Sequence, residues 1–412
     1  MKRIVGLVAA LMLPAMIMAQ NAFEGTWSGK LSIGRTSITL VVHLAAQPDG
    51  TLKCTLDSPD QMAKDIPAVA TFSDQGVLDV SVPLIGASYS GEQKGDSIEG
   101  YFSQMGQKLP LVLRRGEETL RRPQTPQAPF PYTQQTISFC NEKAGATLVG
   151  TLVVPEGAGT NTPVVIMVTG SGLENRDEEI FGHKPFLVIA DFLARQGIAS
   201  LRYDDRTFGE SKGGDVKNAT TLDFMADALA GIEWLRSLGR FGKVGVIGHS
   251  EGGNIAFMLG AKGSVDFVVS MAGVGAKCDE ALTAQANAIM KNRGMAQHYS
   301  VEEYRRMVFQ QQPNVWTRWF LDYNPQTDIN SCRCPVFALN GEKDIQVVAS
   351  LNIPAIRENL PQGLHNQVKV YSGLNHLFQH CTTGDATEYR TIEETISPEV
   401  LNDIAEWINS VR

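Results

Sequence analysis

The chain has 412 residues, of which 43% are hydrophobic and 19% charged, and a formal net charge of −8. That length suits two domains, and the composition is that of an ordinary globular protein rather than a disordered one. The acidic balance, with no polybasic patch, argues against nucleic acid and anionic membrane surfaces as partners.

Residues 1–20 read as a secretory signal. Lys2 and Arg3 precede an apolar run from 4 to 18, and Ala19 is followed by polar Gln20-Asn21. The run is about 15 residues, short of the roughly 20 that a bilayer span needs. The expectation is export, most simply to a bacterial periplasm, with no stable membrane insertion after cleavage; an uncleaved anchor is the alternative. Export permits disulfides. The six cysteines (54, 140, 278, 332, 334 and 381) are too few for a disulfide scaffold, and none shows zinc spacing. No metal or other cofactor is implied.

Residues 22–115 read as a small all-β domain, a barrel or a sandwich. Short alternating apolar runs at 38–44, 52–56, 77–82 and 109–113 are separated by turn signals at 47–50, 74–76 and 91–95. The opening Phe23-Glu24-Gly25-Thr26-Trp27 faintly resembles the G-x-W start of lipocalin-like barrels. Residues 116–133 carry Pro123, Pro126, Pro129 and Pro131, the composition of a stiff linker.

From 134 to 412 strands and helices alternate. Strands are predicted at 147–154, 163–169, 198–203, 244–247, 267–271, 335–339 and 368–371. Helices are predicted at 185–196, 222–238, after 253, and at 398–411. Such alternation implies a mostly parallel, buried sheet covered by helices on both faces. Residues 276–330 break the rhythm. They are long, helix-like and rich in aromatics, and read as a cap inserted over the carboxyl edge of the sheet.

The densest chemical signal is Gly248-His249-Ser250-Glu251-Gly252, between the apolar strand 244–247 and a helix-compatible run. Strand, sharp turn and helix make this pentapeptide a candidate nucleophile elbow. A serine hydroxyl needs a base, and the base needs an acid to fix its tautomer. His376 follows the strand 368–371 through a small-residue loop, which places it beyond the same edge as Ser250. His380 is the alternative base; His298 lies in the cap and His365 at the wrong end of a strand. Asp344 follows the strand 335–339 through Asn340-Gly341-Glu342-Lys343 and is the candidate acid, with Glu342 second. An oxyanion hole needs two backbone donors. One is expected from the N–H of Glu251, the other from Ser171 or Gly172, in the glycine-rich loop after the strand 163–169.

These motifs resemble those of α/β-hydrolases, in particular serine esterases related to prolyl oligopeptidase-type enzymes. They are Thr169-Gly170-Ser171-Gly172 with Asn175-Arg176-Asp177; Leu201-Arg202-Tyr203-Asp204-Asp205-Arg206; the Ser250 pentapeptide; the loop 340–344; and Asn375-His376. The resemblance covers 145–412 and implies the α/β-hydrolase sheet and catalytic roles for Ser250, Asp344 and His376. The chain departs from it at Thr169, commonly histidine, and at Thr207, commonly glycine. Residues 202–206 read first as ion pairs bracing a loop. The function expected is hydrolysis of carboxylic esters through an acyl-enzyme, the substrate being a small-molecule ester or a short peptide. The alternatives are a serine peptidase and a non-catalytic carbohydrate- or lipid-binding protein.

Overall fold

The computed structural model describes residues 23–33, 36–47, 51–61, 63–73, 76–116 and 120–412. The secretory-signal reading of 1–20 and most of the turns expected at 47–50 and 74–76 lie outside the described residues. The chain divides into two compact units between Leu120 and Arg121.

The first unit is a closed antiparallel barrel. Its strands are β1 (Gly25–Ile33), β2 (Thr36–Ala46), β3 (Leu52–Ser58), β4 (Ala63–Phe72), β5 (Val77–Val82), β6 (Ala87–Lys94), β7 (Ser97–Gln104) and β8 (Gln107–Arg115). Pairing of Ser28 with Arg114 closes β1 onto β8. Alternation puts Leu78, Val80 and Val82 inside and Asp79 and Ser81 outside. Trp27 is fully buried, donates its indole N–H to the Phe23 carbonyl at 2.7 Å, and lies 4.3 Å beneath the Arg115 guanidinium.

One expected turn is corrected. Gly91 to Lys94 belong to β6, and the hairpin turn is Gly95-Asp96, with Gly95 at φ +62°. The two glycines of the pair Gly91–Gly100 serve close packing. A Cβ on Gly91 would lie 2.4 Å from the Tyr89 hydroxyl, which crosses over it to donate to the Ile98 carbonyl at 2.8 Å.

The second unit opens with Arg121. Its proline-bearing stretch is anchored: Arg122 donates to the carbonyls of Phe181, Arg390 and Ile392, and Gln124 bonds Thr395 and Ile396. Then come β9 (Tyr132–Asn141), β10 (Ala146–Pro155), β11 (Val164–Val168), α1 (Pro185–Arg195), β12 (Ala199–Tyr203), the two-residue β13 (Lys212–Gly213), α2 (Thr221–Ser237), β14 (Val244–His249), α3 (Glu251–Lys262) and β15 (Val268–Met271). The insertion follows as α4 (Cys278–Asn292), α5 (Val301–Gln311), α6 (Val315–Asp322) and α7 (Gln326–Asn330). The unit ends with β16 (Val336–Gly341), α8 (Ala349–Asn359), β17 (Gln367–Tyr371) and α9 (Pro398–Val411).

From β10 the strands lie in the order β10-β12-β11-β14-β15-β16-β17, parallel from β12 onward, with β9 antiparallel along β10. Every residue of β11, β12 and β15 is buried, as a sheet covered on both faces requires. α1 and α9 share one core with that sheet; α2, α3 and α8 share the other. β11 is where the strand order reverses, so a crevice opens beside its carboxyl end, next to that of β14.

Behind that crevice, buried Arg206 donates to Asp227 of α2 at 2.7 and 2.9 Å, and Asn141 donates to the same carboxylate at 2.8 Å. Removing the carboxylate leaves a buried guanidinium without its counter-charge. Asp227→Ala should therefore lower unfolding free energy by about 3–5 kcal/mol in denaturant melts. A loss under about 1 kcal/mol would show that the pair is as dispensable as one at the surface.

Candidate active site

Ser250 stands between the last residue of β14 and the first of α3, at φ 53° and ψ −118°. A non-glycine residue pays for that backbone only where its surroundings hold it. They do here. The Ser250 N–H donates to the Met271 carbonyl at 2.8 Å, and the Gly253 N–H donates to the Ser250 carbonyl at 2.9 Å. The bend also brings backbone against backbone. A Cβ on Gly248 would lie 1.9 Å from the Gly252 carbonyl oxygen, and one on Gly252 would lie 2.1 Å from that of Val168. Both glycines of the pentapeptide are thus required by space.

Two strand ends farther along the same edge supply an acid and an imidazole. Asp344, in the turn after β16, receives the Gln346 and Val347 N–H groups on one oxygen, both at 2.8 Å. Its other oxygen lies 2.7 Å from Nδ1 of His376, in the loop after β17. Both side chains are buried. Among the described residues, no hydrogen bond joins Ser250 Oγ to the imidazole; such contacts are often long until substrate arrives. The structure does not bring the alternatives to this pair. Glu342 is exposed and holds Ser372 and Gly373; their hydroxyl and N–H keep its carboxyl below the usual range. His380 faces Glu394 at 2.8 Å, exposed.

A residue to which the sequence assigned no role also belongs to the site. His249, the variable position before the serine, donates from Nε2 to the His376 carbonyl at 3.0 Å and from Nδ1 to Glu178 at 2.8 Å. Burial opposes its charge most strongly, but the charge and hydrogen bond of Glu178, the His376 carbonyl and Glu174 together outweigh it and lift the imidazole to about 9. The two rings are 4.6 Å apart. His249 thereby holds the main chain of His376 in place. Glu174, nearby, is pushed above the usual carboxyl range by burial and by Glu178.

The loop after β11 carries the second expected donor. Its Gly170 N–H is already taken by Glu178 at 3.1 Å. The N–H groups of Ser171, Gly172 and Glu251 make no hydrogen bond among the described residues. The Ser171 hydroxyl donates to the Glu251 carboxylate at 2.6 Å. Residues 202–206 brace this loop: Arg202 pairs with Asp177, Asp204 with Arg176 at 2.6 Å, and Asp205 accepts from Thr169 and from the Glu174 N–H.

Beside the loop opens a cavity of about 460 Å³, lined by Ser171, Leu173, Phe224, Glu251, Ile255 and Trp316 among others. Trp316 comes from α6 of the insertion and donates its indole N–H to Glu251 at 2.9 Å. The insertion therefore reaches the residue next to Ser250. Ser250 and His376 are not among the lining residues; the cavity lies on the Ser171 side. Among the described residues, no group of His, Cys, Asp or Glu is arranged to hold a metal, and no helix is long and apolar enough to cross a membrane.

Residues 185–310, from α1 into α5, match the family model described as Hydrolase_4, serine aminopeptidase, S33. The second unit has the α/β-hydrolase fold. The chain is 27% identical over 282 residues to esterase EstD of Thermotoga maritima, a match covering 63% of this chain and 65% of that protein's length. Among solved structures it is similar to the Pyrococcus furiosus esterase Pf2001, at 17% identity and TM-score 0.48 over 72% of this chain and 99% of the other. It is also similar to Est1E of Butyrivibrio proteoclasticus bound to ferulic acid, at 15% identity and TM-score 0.46 over 66% and 98%.

Two outcomes follow from the geometry. Gly248→Ala should cost about 3 kcal/mol, the upper end of overpacking costs, because only backbone can yield to the new methyl; a melt within experimental error of wild type would contradict the close approach. The His249–Glu178 pair sets a pH dependence. Its folded-state pKa is raised, so its stabilisation is complete below the ordinary value of 6.5 and fades as pH rises through about 9. Glu178→Gln should remove it, so the gap in Tm between wild type and variant should be widest near pH 6 and narrow by about pH 10. A gap that grows with pH would reverse the assigned sign.

Proposed function

We propose that the chain is a serine hydrolase that cleaves carboxylic esters through an acyl-enzyme. The observation that carries this reading is the strained Ser250 bend on the same sheet edge as the buried Asp344–His376 pair. Ser250 Oγ attacks the ester carbonyl carbon while His376 Nε2 takes its proton. Asp344 holds Nδ1–H, fixes the tautomer and stabilises the imidazolium. The tetrahedral oxygen is met by the N–H of Glu251, at the positive end of α3, and by that of Ser171 or Gly172. As the intermediate collapses, the alcohol leaves with the proton from His376. Water, deprotonated by the same imidazole, then releases the acid and restores Ser250.

Esters are favoured by the similarity to esterase EstD and by the mostly apolar cavity beside the Ser171 loop, which suits an acyl or leaving group without formal charge. The match to a family described by serine aminopeptidases supports a second reading, cleavage of short peptides by the same machinery. We place the enzyme outside the cytoplasm on the character of residues 1–20.

Fluorophosphonate labelling and turnover of nitrophenyl esters against aminoacyl-nitroanilides test this reading. Ser250→Ala should lose the label and the turnover while keeping its melt. Asp344→Asn should lower kcat by about 10⁴-fold, because Asn presents the wrong tautomer partner and no charge. Labelling of the Ser250→Ala protein at the wild-type rate would remove the nucleophile from this assignment. Faster anilide than ester turnover would favour the peptidase.

A further inference from the structure

The Glu251 side chain has no part in the reaction just described, yet it is the most heavily bonded group beside Ser250. Its carboxylate is buried and accepts three donors: the hydroxyl of Ser171 at 2.6 Å, the hydroxyl of fully buried Thr221, and the indole N–H of Trp316 at 2.9 Å. No cation pairs with it among the described residues. A buried carboxylate held only by neutral donors is costly to keep, which directs attention to what the arrangement fixes.

What it fixes is the Ser171 loop. Ser171 lies between Gly170 and Gly172, and Gly172 adopts φ +115°. The Ser171 and Gly172 N–H groups carry no internal hydrogen bond. The loop's backbone is therefore loosely specified at the residue whose N–H is wanted at a defined point. The other donor is the N–H of Glu251 itself, set rigidly at the start of α3. Resting on the serine-hydrolase reading, we propose that the Glu251 carboxylate is a positioning residue. It clamps Ser171 through its hydroxyl and holds the two oxyanion donors, from neighbouring strands β11 and β14, at a fixed separation. Thr221 and Trp316 occupy the other oxygen and keep the carboxylate from rotating away. Because donors must be in place before charge develops, the clamp acts on the transition state rather than on substrate affinity.

The test uses the full-length protein, a small nitrophenyl ester and a fluorophosphonate. Ser171→Ala keeps the backbone N–H and removes only the clamp. It should lower kcat about tenfold, less than the 10²–10³ seen when an oxyanion donor is deleted, with KM changed under about twofold. The fluorophosphonate labelling rate should fall in the same proportion. Glu251→Ala should do likewise, and the double variant should be no slower than Glu251→Ala, since both break one contact. Glu251→Gln keeps an acceptor for Thr221 and Trp316 and turns its amide N–H toward Ser171, so it should retain kcat within about threefold. A merely structural carboxylate would lower Tm and leave the ratio of kcat to KM effects untouched.

Folded Ser171→Ala with wild-type kcat overturns the clamp, as does a Ser171→Ala effect of equal size in both backgrounds. Should Glu251→Ala fail to fold, Ser171→Ala and Glu251→Gln still decide the matter. Wild-type protein without turnover or label would instead sink the hydrolase reading, and the clamp with it. An active wild type with an inactive Ser250→Ala isolates any failure to the clamp alone.

Discussion

The second unit is organised around a contact between backbones. Where β14 passes into α3, the chain turns so sharply that Gly248 meets the Gly252 carbonyl, and Gly252 in turn lies against the Val168 carbonyl of β11. Only hydrogen can occupy those Cβ positions. This approach sets the angle of α3 to the sheet and the strained backbone of Ser250. It also brings the start of the helix beside the loop after β11. The cores on the two faces, the Ser171 loop and the contact with the inserted helices are all placed relative to that bend.

A second layer of order surrounds the bend and is polar. Residues 202–206 are tied to residues 169–178 by three carboxylate contacts, and Glu178 reaches from that loop to Gly170 and His249. His249 passes the constraint on to the main chain of His376. Four strand ends, those of β11, β12, β14 and β17, are thereby linked through hydrogen bonds that burial strengthens. The main chain of the histidine that faces Asp344 is held by a second imidazole, itself bonded to the Glu178 carboxylate.

Much of this was legible from residue order. The pentapeptide marked Ser250, and strand-end logic put Asp344 and His376, which do meet, on the same edge. Apolar runs located the strands of the parallel sheet, because buried parallel strands are continuous apolar runs. What escaped notice had physical reasons. β9 is an edge strand whose buried residues, Ile137 and Phe139 among them, are spaced by polar ones, so no apolar run announces it. α8 carries Pro354 within its length, which reads as a stop. Residues 91–95 read as a turn signal, whereas Gly91 lies within β6 and makes room for Tyr89. β4 contains Pro67, which interrupts the pattern that marks a strand. His249 sat in a position that the pentapeptide leaves variable, and its partner Glu178 is far away in sequence, so nothing local linked the two.

Arg122 and Gln124 have a consequence for how this chain is divisible. Beyond their own stretch their bonds run, among the described residues, to residues 181 and 390–396, and Arg122 alone ties three carbonyl oxygens from two distant loops. A stretch with the composition of a spacer is thus a built-in strap of the hydrolase fold. In any lineage where such a fold is joined to a different leading module, the seam has to lie upstream of Arg121. The strap would be inherited with the sheet, and the exchangeable part would end where the barrel ends.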